Sequence, residues 1–251
     1  MFPSLILLCG ILAVTFVLTM VGLGGGLVFS PLFVILGYAK ADAASASLFL
    51  NLIAAASAAI MYSRKKMVDF SLAMPLICSS ALLAPVGSFL NAGVDTRPFM
   101  LVLAVVLILA GGRMLMPPPG QGDAVQVGGG KKMAGGLVIG ACIGLMGGFL
   151  GIGGGVFIVP LLIYILKVPT KIAAASSTFI VCFSSLTGFL GYAAAGPINW
   201  GFILPAAVVS YVGGFAGAKV MSTKVKGKSI RMIFSVVLFA LAAKIVHQAF
   251  F

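Results

Sequence analysis

The chain has 251 residues, of which 61% are hydrophobic and 8% are charged, and its mean hydropathy is +1.23. A soluble domain carries about a quarter charged residues, so this composition excludes a globular protein with a solvated surface and predicts an integral membrane protein. The formal net charge is +12, from 16 Lys and Arg against four acidic residues. In short loops between apolar segments such an excess sets topology, and we expect no nucleic-acid partner.

Ten apolar segments follow one another along the chain. They cover residues 3–22, 27–37, 43–62, 70–92, 98–116, 134–150, 155–166, 171–194, 200–222 and 228–250. Their pattern is helical and lacks the strict alternation of strands, which predicts an all-α membrane protein. The first segment has no basic n-region and exceeds the length of a cleavable signal, so we expect it to belong to the folded protein.

The first half of the sequence returns in the second half. The cluster Gly22–Gly26, with the sequence GLGGG, precedes Pro31, and the cluster Gly151–Gly155, with the sequence GIGGG, precedes Pro160 by the same distance. Further matches continue down both halves at a nearly constant spacing. The chain therefore contains a duplicated unit.

A stretch rich in Pro and Gly separates the two copies. We divide the chain into a first transmembrane repeat at residues 1–116, a linker at 117–133 and a second transmembrane repeat at 134–251. The linker carries Lys131 and Lys132, so we expect it on the cytoplasmic side.

Two of the ten segments, 27–37 and 155–166, are too short to cross a membrane. A helix needs about 20 residues to cross a hydrocarbon core of about 30 Å. Each short segment is predicted to be the second arm of a helical hairpin whose glycine tip lies inside the protein. Each repeat then consists of one Gly-tipped hairpin, a broken helix, and three transmembrane helices.

Charge predicts that the two repeats are inverted. Arg64–Lys66 form a basic loop, but the equivalent loop at 193–199 is uncharged. Four basic residues from Lys224 to Arg231 fill another loop, whose counterpart carries Arg97 beside Asp95. Since positive loops stay inside, equivalent loops lie on opposite sides of the membrane, and both termini are expected outside.

The glycine tips are candidate sites for an anion. The predicted site glycines are Gly24, Gly25, Gly26, Gly153, Gly154 and Gly155. Glycine allows positive φ, which we expect at Gly25 and Gly154, and each tip precedes a helix N-terminus with its partial positive charge. In inverted repeats the two N-termini converge near the midplane. The alternative is that the glycines only permit close helix packing.

The helix after each tip supplies a predicted wall for this site. Ser47 and Asn51 share a helix face in the first repeat, and Ser177 and Thr178 stand at the matching place in the second, with Ser184 and Ser185 two turns further on. Hydroxyls and amides donate to an anion without the cost of a buried charge, and we expect Asn51 to donate to the substrate. The alternative is that these groups bond to neighbouring helices or to their own backbone.

The paired glycine motifs, each followed by a helix rich in Ala and Ser and later by Val68–Phe70 or Ile198–Trp200, resemble the TauE/SafE sulfite exporter family. The resemblance covers nearly the whole chain. Members of that family are mainly prokaryotic proteins of the cytoplasmic (inner) membrane, implicated in moving sulfite, sulfonates and related organosulfur anions, usually outward. The resemblance implies a multi-pass protein of that membrane with a small anionic substrate.

The residues and the resemblance together predict a secondary transporter that exports small sulfur-containing anions, such as sulfite or sulfonates, by alternating access of inverted repeats. The sequence has no phosphate-binding loop and no metal-ligand spacing, so we expect no cofactor and no metal. The alternative is an anion-selective channel that uses the same tips in an open path. An enzyme is disfavoured because the HExxH and GxSxG motifs are missing from the sequence.

Overall fold

The computed structural model describes residues 5–38, 40–91, 96–117, 129–150, 155–195 and 200–250. This part of the chain forms ten α-helices. They are α1 Leu5–Val21, α2 Gly26–Ile35, α3 Lys40–Arg64, α4 Phe70–Asn91, α5 Thr96–Leu115, α6 Gly129–Leu150, α7 Gly155–Tyr164, α8 Thr170–Ala195, α9 Trp200–Thr223 and α10 Gly227–Phe250.

The all-α class is confirmed, because the described ranges contain helices and no strand. Among the residues that the structure describes, four helices are long and apolar enough to span a bilayer, namely α3, α8, α9 and α10. The helices begin and end close to the predicted limits. The largest difference is at α6, which begins at Gly129 and not at residue 134, so its first turn belongs to the segment predicted as linker.

The first glycine cluster ends α1 and reverses the chain. Leu23 N–H donates to Leu18 O at 2.9 Å and Gly22 N–H donates to Thr19 O at 3.3 Å, the pair of bonds that closes a Schellman motif. Gly22 occupies the left-handed position of that motif, with φ of 91°. The terminal carbonyls of α1 are thus satisfied where the helix stops inside the protein.

The short helix α2 runs back toward the start of α1 and packs mainly against α3. Phe29 and Phe33 share a buried apolar cluster with Ile11 of α1. The ring of Phe33 lies 5.1 Å from that of Phe202 at the start of α9, and Tyr38 lies 4.8 Å from the same ring. The two arms form a hairpin, and its tip is buried between the helices.

Small residues on α9 allow α1 to pack closely against it. A Cβ added at Gly213 would collide with Thr15, and one added at Gly217 would collide with Thr19. Residue numbers therefore rise together along both helices, which run parallel. Such seams of small residues are typical of helix packing in membranes, where close backbone approach supplies the van der Waals contact.

The pair α4 and α6 repeats the pair α9 and α1. A Cβ at Gly140 would collide with Ser79, and one at Gly144 would lie 2.6 Å from the carbonyl oxygen of Ser80, so these two helices also run parallel. In the duplicated sequence α4 is the counterpart of α9, and α6 is the counterpart of α1. The two halves therefore pair their helices in the same way.

The equivalent helices α3 and α8 cross each other in opposite directions. Asn51 of α3 bonds to Ser185 of α8, and Phe49 packs on Phe189 with ring centroids 4.8 Å apart. Residue numbers fall along one helix as they rise along the other. This crossing brings the middle of α3 to the middle of α8.

Basic helix ends lie together at one end of the bundle. Lys65 Nζ donates to Ser222 Oγ at 2.8 Å, which joins the loop after α3 to the end of α9. Thr170, at the start of α8, lies beside Gly227, at the start of α10. Because α8 runs opposite to α3, the end of α3 and the start of α8 share this end.

Candidate functional site

Asn51 connects the first glycine tip to α3 of its own repeat and to α8 of the other. It lies in α3 and is 6% exposed. Its Oδ1 accepts a short hydrogen bond from Gly25 N–H, and its Nδ2 donates to Ser185 Oγ at 2.6 Å. One amide thus holds together the tip, the helix that follows it, and α8 of the other repeat.

Two equivalent serines hold the tip from either side. Ser47 Oγ, one turn before Asn51 on α3, donates to Gly26 O at 2.8 Å. Ser177 Oγ, on α8, donates to Gly22 O at 2.8 Å. Both serines are buried. The first tip is therefore fixed by hydrogen bonds from the matching helix of each repeat.

Gly25 is the residue that caps α2. Its carbonyl accepts hydrogen bonds from Val28 N–H at 3.1 Å and Phe29 N–H at 3.2 Å, and its own N–H points at Asn51. The first N–H groups of a helix have no acceptor within it, and the helix dipole makes this end attractive to negative charge. The neutral amide oxygen of Asn51 occupies an acceptor position that also suits an oxyanion.

The prediction of positive φ at Gly25 is wrong, because Gly22 and Gly24 adopt it instead, with φ of 91° and 75°. Gly22 terminates α1 and Gly24 turns the chain, whereas Gly25 already stands at the start of α2 and takes an ordinary φ. A Cβ at Gly22 would lie 2.7 Å from Ala174 O, and a Cβ at Gly24 would collide with Asn51 Oδ1. Backbone of α8 and side chain of α3 thus both approach the tip closely.

The second tip is described only from Gly155 onward, because Gly153 and Gly154 lie outside the described residues. A Cβ at Gly155 would lie 2.8 Å from Val181 Cγ2 and 3.9 Å from Leu23 O. The start of α7 is therefore close to the first tip. Val181 takes the place that Asn51 has in the first repeat, so the polar partner at this N-terminus is replaced by an apolar one.

The hydroxyl of Thr178 donates to Ala174 O of its own helix at 2.9 Å, and not to the described residues of the first tip. Ser184 likewise donates to Val181 O at 3.1 Å. Ser185, which the sequence pattern includes but does not single out, is the partner of Asn51. Its signal is its helical spacing from Ser177, two turns along α8.

The polar groups gathered here are neutral. They comprise the backbone of Gly22–Gly26 and the side chains of Ser47, Asn51, Ser177 and Ser185. Within the described ranges, no three His, Cys, Asp or Glu side chains are grouped so that they would hold a metal ion. The cluster offers amide and hydroxyl groups, which suit recognition of an anion by hydrogen bonding.

Gly24→Ala should destabilise the protein more than Gly37→Ala. Both glycines have positive φ, so both substitutions strain the backbone by about 1–2 kcal/mol, but the Cβ at Gly37 has no atom within 4 Å and the Cβ at Gly24 displaces Asn51. We expect an additional loss of about 1–3 kcal/mol for Gly24→Ala, from the broken bond to Gly25 N–H. Thermal unfolding of the two purified variants measures the difference. Equal losses would show that the Asn51 contact does not stabilise the tip.

Comparison with known proteins finds similarity along nearly the whole chain. The family described as "Sulfite exporter TauE/SafE" matches residues 6–245. "Probable membrane transporter protein YunE" of Bacillus subtilis is 25% identical over 256 residues, covering 93% of each chain. A "probable membrane transporter protein" of Haemophilus influenzae is 28% identical over 228 residues, covering 90% of this chain and 88% of the relative. "Probable membrane transporter protein YfcA" of Escherichia coli is 26% identical over 237 residues, covering 90% and 83%.

No solved structure gives a significant match to the chain. The family match spans nearly all of the sequence, and the apolar helices are those of a multi-pass membrane protein. The chain belongs to the TauE/SafE sulfite exporter family of membrane transporters.

Proposed function

We propose that the protein is a secondary transporter that exports small sulfur-containing anions, such as sulfite or sulfonates, by alternating access of two inverted repeats. The observation that carries this proposal is the bond from Gly25 N–H to Asn51 Oδ1 at the buried start of α2. At this place a backbone N–H donates to a polar oxygen inside a bundle of apolar helices. The family description, which names sulfite export, supports the choice of substrate class.

In this proposal a substrate oxygen replaces Asn51 Oδ1 at Gly25 N–H. The anion then lies at the positive end of α2, and the released Asn51 amide turns its N–H groups toward it. Sulfite and sulfonates present several oxygens on one sulfur atom, so a further hydroxyl donor is needed, and Ser185, whose oxygen accepts from Asn51 Nδ2, lies at the same tip. Neutral donors bind an anion without holding it as tightly as a buried cation, which suits release.

Substrate binding would also loosen a contact between the repeats. Asn51 joins the first tip to Ser185 of α8, so its displacement from Gly25 removes one bond that fixes α3, the tip and α8 together. A ligand shifts a conformational equilibrium by its differential affinity for the two states. Because the anion displaces Asn51, it binds more tightly to the state in which the contact between α3 and α8 is loosened.

The arrangement of the repeats supports inversion. The equivalent helices α3 and α8 cross in opposite directions, and the pairs α1–α9 and α4–α6 are equivalent. The start of α7 lies beside Leu23 of the first tip, as converging tips require. We propose repeats at residues 1–116 and 134–251 and a linker at 117–133 on the cytoplasmic side. Both termini then lie on the outer side of the cytoplasmic membrane.

An anion-selective channel would use the same tip in a continuously open path. Proteoliposomes separate the two functions, because a transporter shows saturable sulfite flux that is accelerated by sulfite on the opposite side. The proposal includes no enzymatic activity, cofactor, metal or nucleic-acid partner; the bilayer and the anion are the partners that it requires.

Asn51→Ala should weaken anion binding by about 1–3 kcal/mol, the cost of a lost hydrogen bond to a charged group. Asn51→Asp should weaken it further, because a carboxylate repels the anion. Calorimetric titration of the purified variants with sulfite and sulfoacetate measures both effects. Ser57→Ala is the matched control, since Ser57 is buried in the same helix and bonds only to Ala54 O of its own backbone.

Lowered stability with unchanged affinity in Asn51→Ala would show that this residue only ties the helices together. Wild-type affinity in Asn51→Asp would exclude an anion at Gly25 N–H. Ser57→Ala should keep wild-type affinity whatever its effect on stability.

Cysteine labelling tests the inverted topology. A cysteine introduced by Arg64→Cys should react with a membrane-impermeant reagent from the cytoplasmic side, and one introduced by Pro197→Cys should react from the outside. The measurement uses a background in which the four native cysteines are replaced. Reaction of both positions from one side would contradict inversion and indicate a parallel duplication.

A further inference from the structure

A buried guanidinium lies far along the chain from the glycine tips. Arg231 belongs to the first turns of α10 and is 7% exposed, although the sequence places it in a basic loop. Its Nη1 donates to Thr170 Oγ1 at 3.4 Å, and its Nε has no hydrogen-bond acceptor. Among the described residues, no carboxylate bonds to this guanidinium. A buried cation without a counter-charge is unfavourable, so a bound anion would stabilise this site.

Two helix N-termini meet at the same place. Thr170 begins α8 and Gly227 begins α10, and a Cβ at Gly227 would lie 3.4 Å from Thr170 Cβ. Neither helix has an acidic residue in its first turn. Instead, Lys171 and Lys228 occupy those turns. Helix N-termini attract negative charge, so their partial charges add to the unpaired charge of Arg231.

A second guanidinium, on α5, lies against the end of α7. Arg113 lies over the ring of Tyr164, 4.3 Å from its centroid, and Tyr164 Oη donates to Arg113 O at 2.7 Å. Tyr164 is within electrostatic reach of both Arg113 and Arg231.

We propose that this cluster binds a phosphate-type oxyanion at Arg231, Thr170 and the N-termini of α8 and α10. The planar guanidinium matches phosphate with two parallel N–H groups, and Nε is one of the donors left unused. Two sources share this chemistry, namely the phosphodiester of an anionic phospholipid and a soluble phosphate. The cluster lies at the basic end of the bundle, away from Asn51, so the inference does not depend on the proposed transport.

Thermal unfolding in nanodiscs tests the proposal. Wild-type protein in phosphatidylcholine alone is compared with protein given phosphatidylglycerol in the disc or inorganic phosphate in the buffer. An anion that binds only the folded state raises Tm. We expect a rise for the wild type and for Arg64→Met, the control that removes an exposed positive charge from the same end. Arg231→Met should lose the rise.

Arg231→Met has a second expected signature. In phosphatidylcholine without phosphate it should be at least as stable as the wild type, because Met fills a similar volume without a buried charge. Thr170→Val is the second variant and is used if Arg231→Met does not fold. It removes the hydroxyl with little change in shape, and should raise the anion concentration needed for half of the Tm shift by about tenfold.

The outcomes separate the two sources. A Tm rise with phosphatidylglycerol alone identifies the lipid headgroup, and a rise with inorganic phosphate alone identifies a soluble anion. Equal rises in the wild type and Arg231→Met, an unchanged half-shift concentration in Thr170→Val, or no rise with either anion would overturn the proposal.

Discussion

The hydrogen bond between Gly25 N–H and Asn51 Oδ1 is the contact on which the centre of the protein depends. A helix that stops inside an apolar bundle leaves backbone groups that neither lipid nor water can satisfy. The carbonyls at the end of α1 accept the hydrogen bonds of the Schellman motif at Gly22, and the N–H at the buried start of α2 donates to Asn51. The same broken helix that would destabilise a membrane protein becomes a polar site when one amide and two serines complete it.

Close packing brings that amide to the tip. Gly24 leaves room for Asn51 Oδ1, and Gly22 leaves room for the backbone of α8 at Ala174. The contacts between α1 and α9 and between α4 and α6 are formed in the same way. There a glycine on one helix leaves room for the backbone or a hydroxyl of the neighbouring helix. The site is thus formed by the same close packing at glycines that joins the other helices.

Local properties of the sequence predict most of the fold. Segment length and apolar composition give ten helices, because both are set by the bilayer. Helical spacing gives Ser47 and Asn51 on one face. Positive φ at Gly24 in place of Gly25 is not predictable in this way, because it depends on where α1 is capped. The burial of Arg231 is also missed, since its depth follows from the packing of α8 over α10 and not from hydropathy.

The most direct test of the anion site is a structure determined with selenite, a heavier analogue of sulfite with anomalous scattering. The account predicts an anomalous peak within hydrogen-bond distance of Gly25 N, with the Asn51 amide moved from its present bond. The peak should also lie near Ser185, whose hydroxyl now accepts from Asn51. A peak elsewhere in the bundle, with Asn51 still bonded to Gly25, would contradict the account.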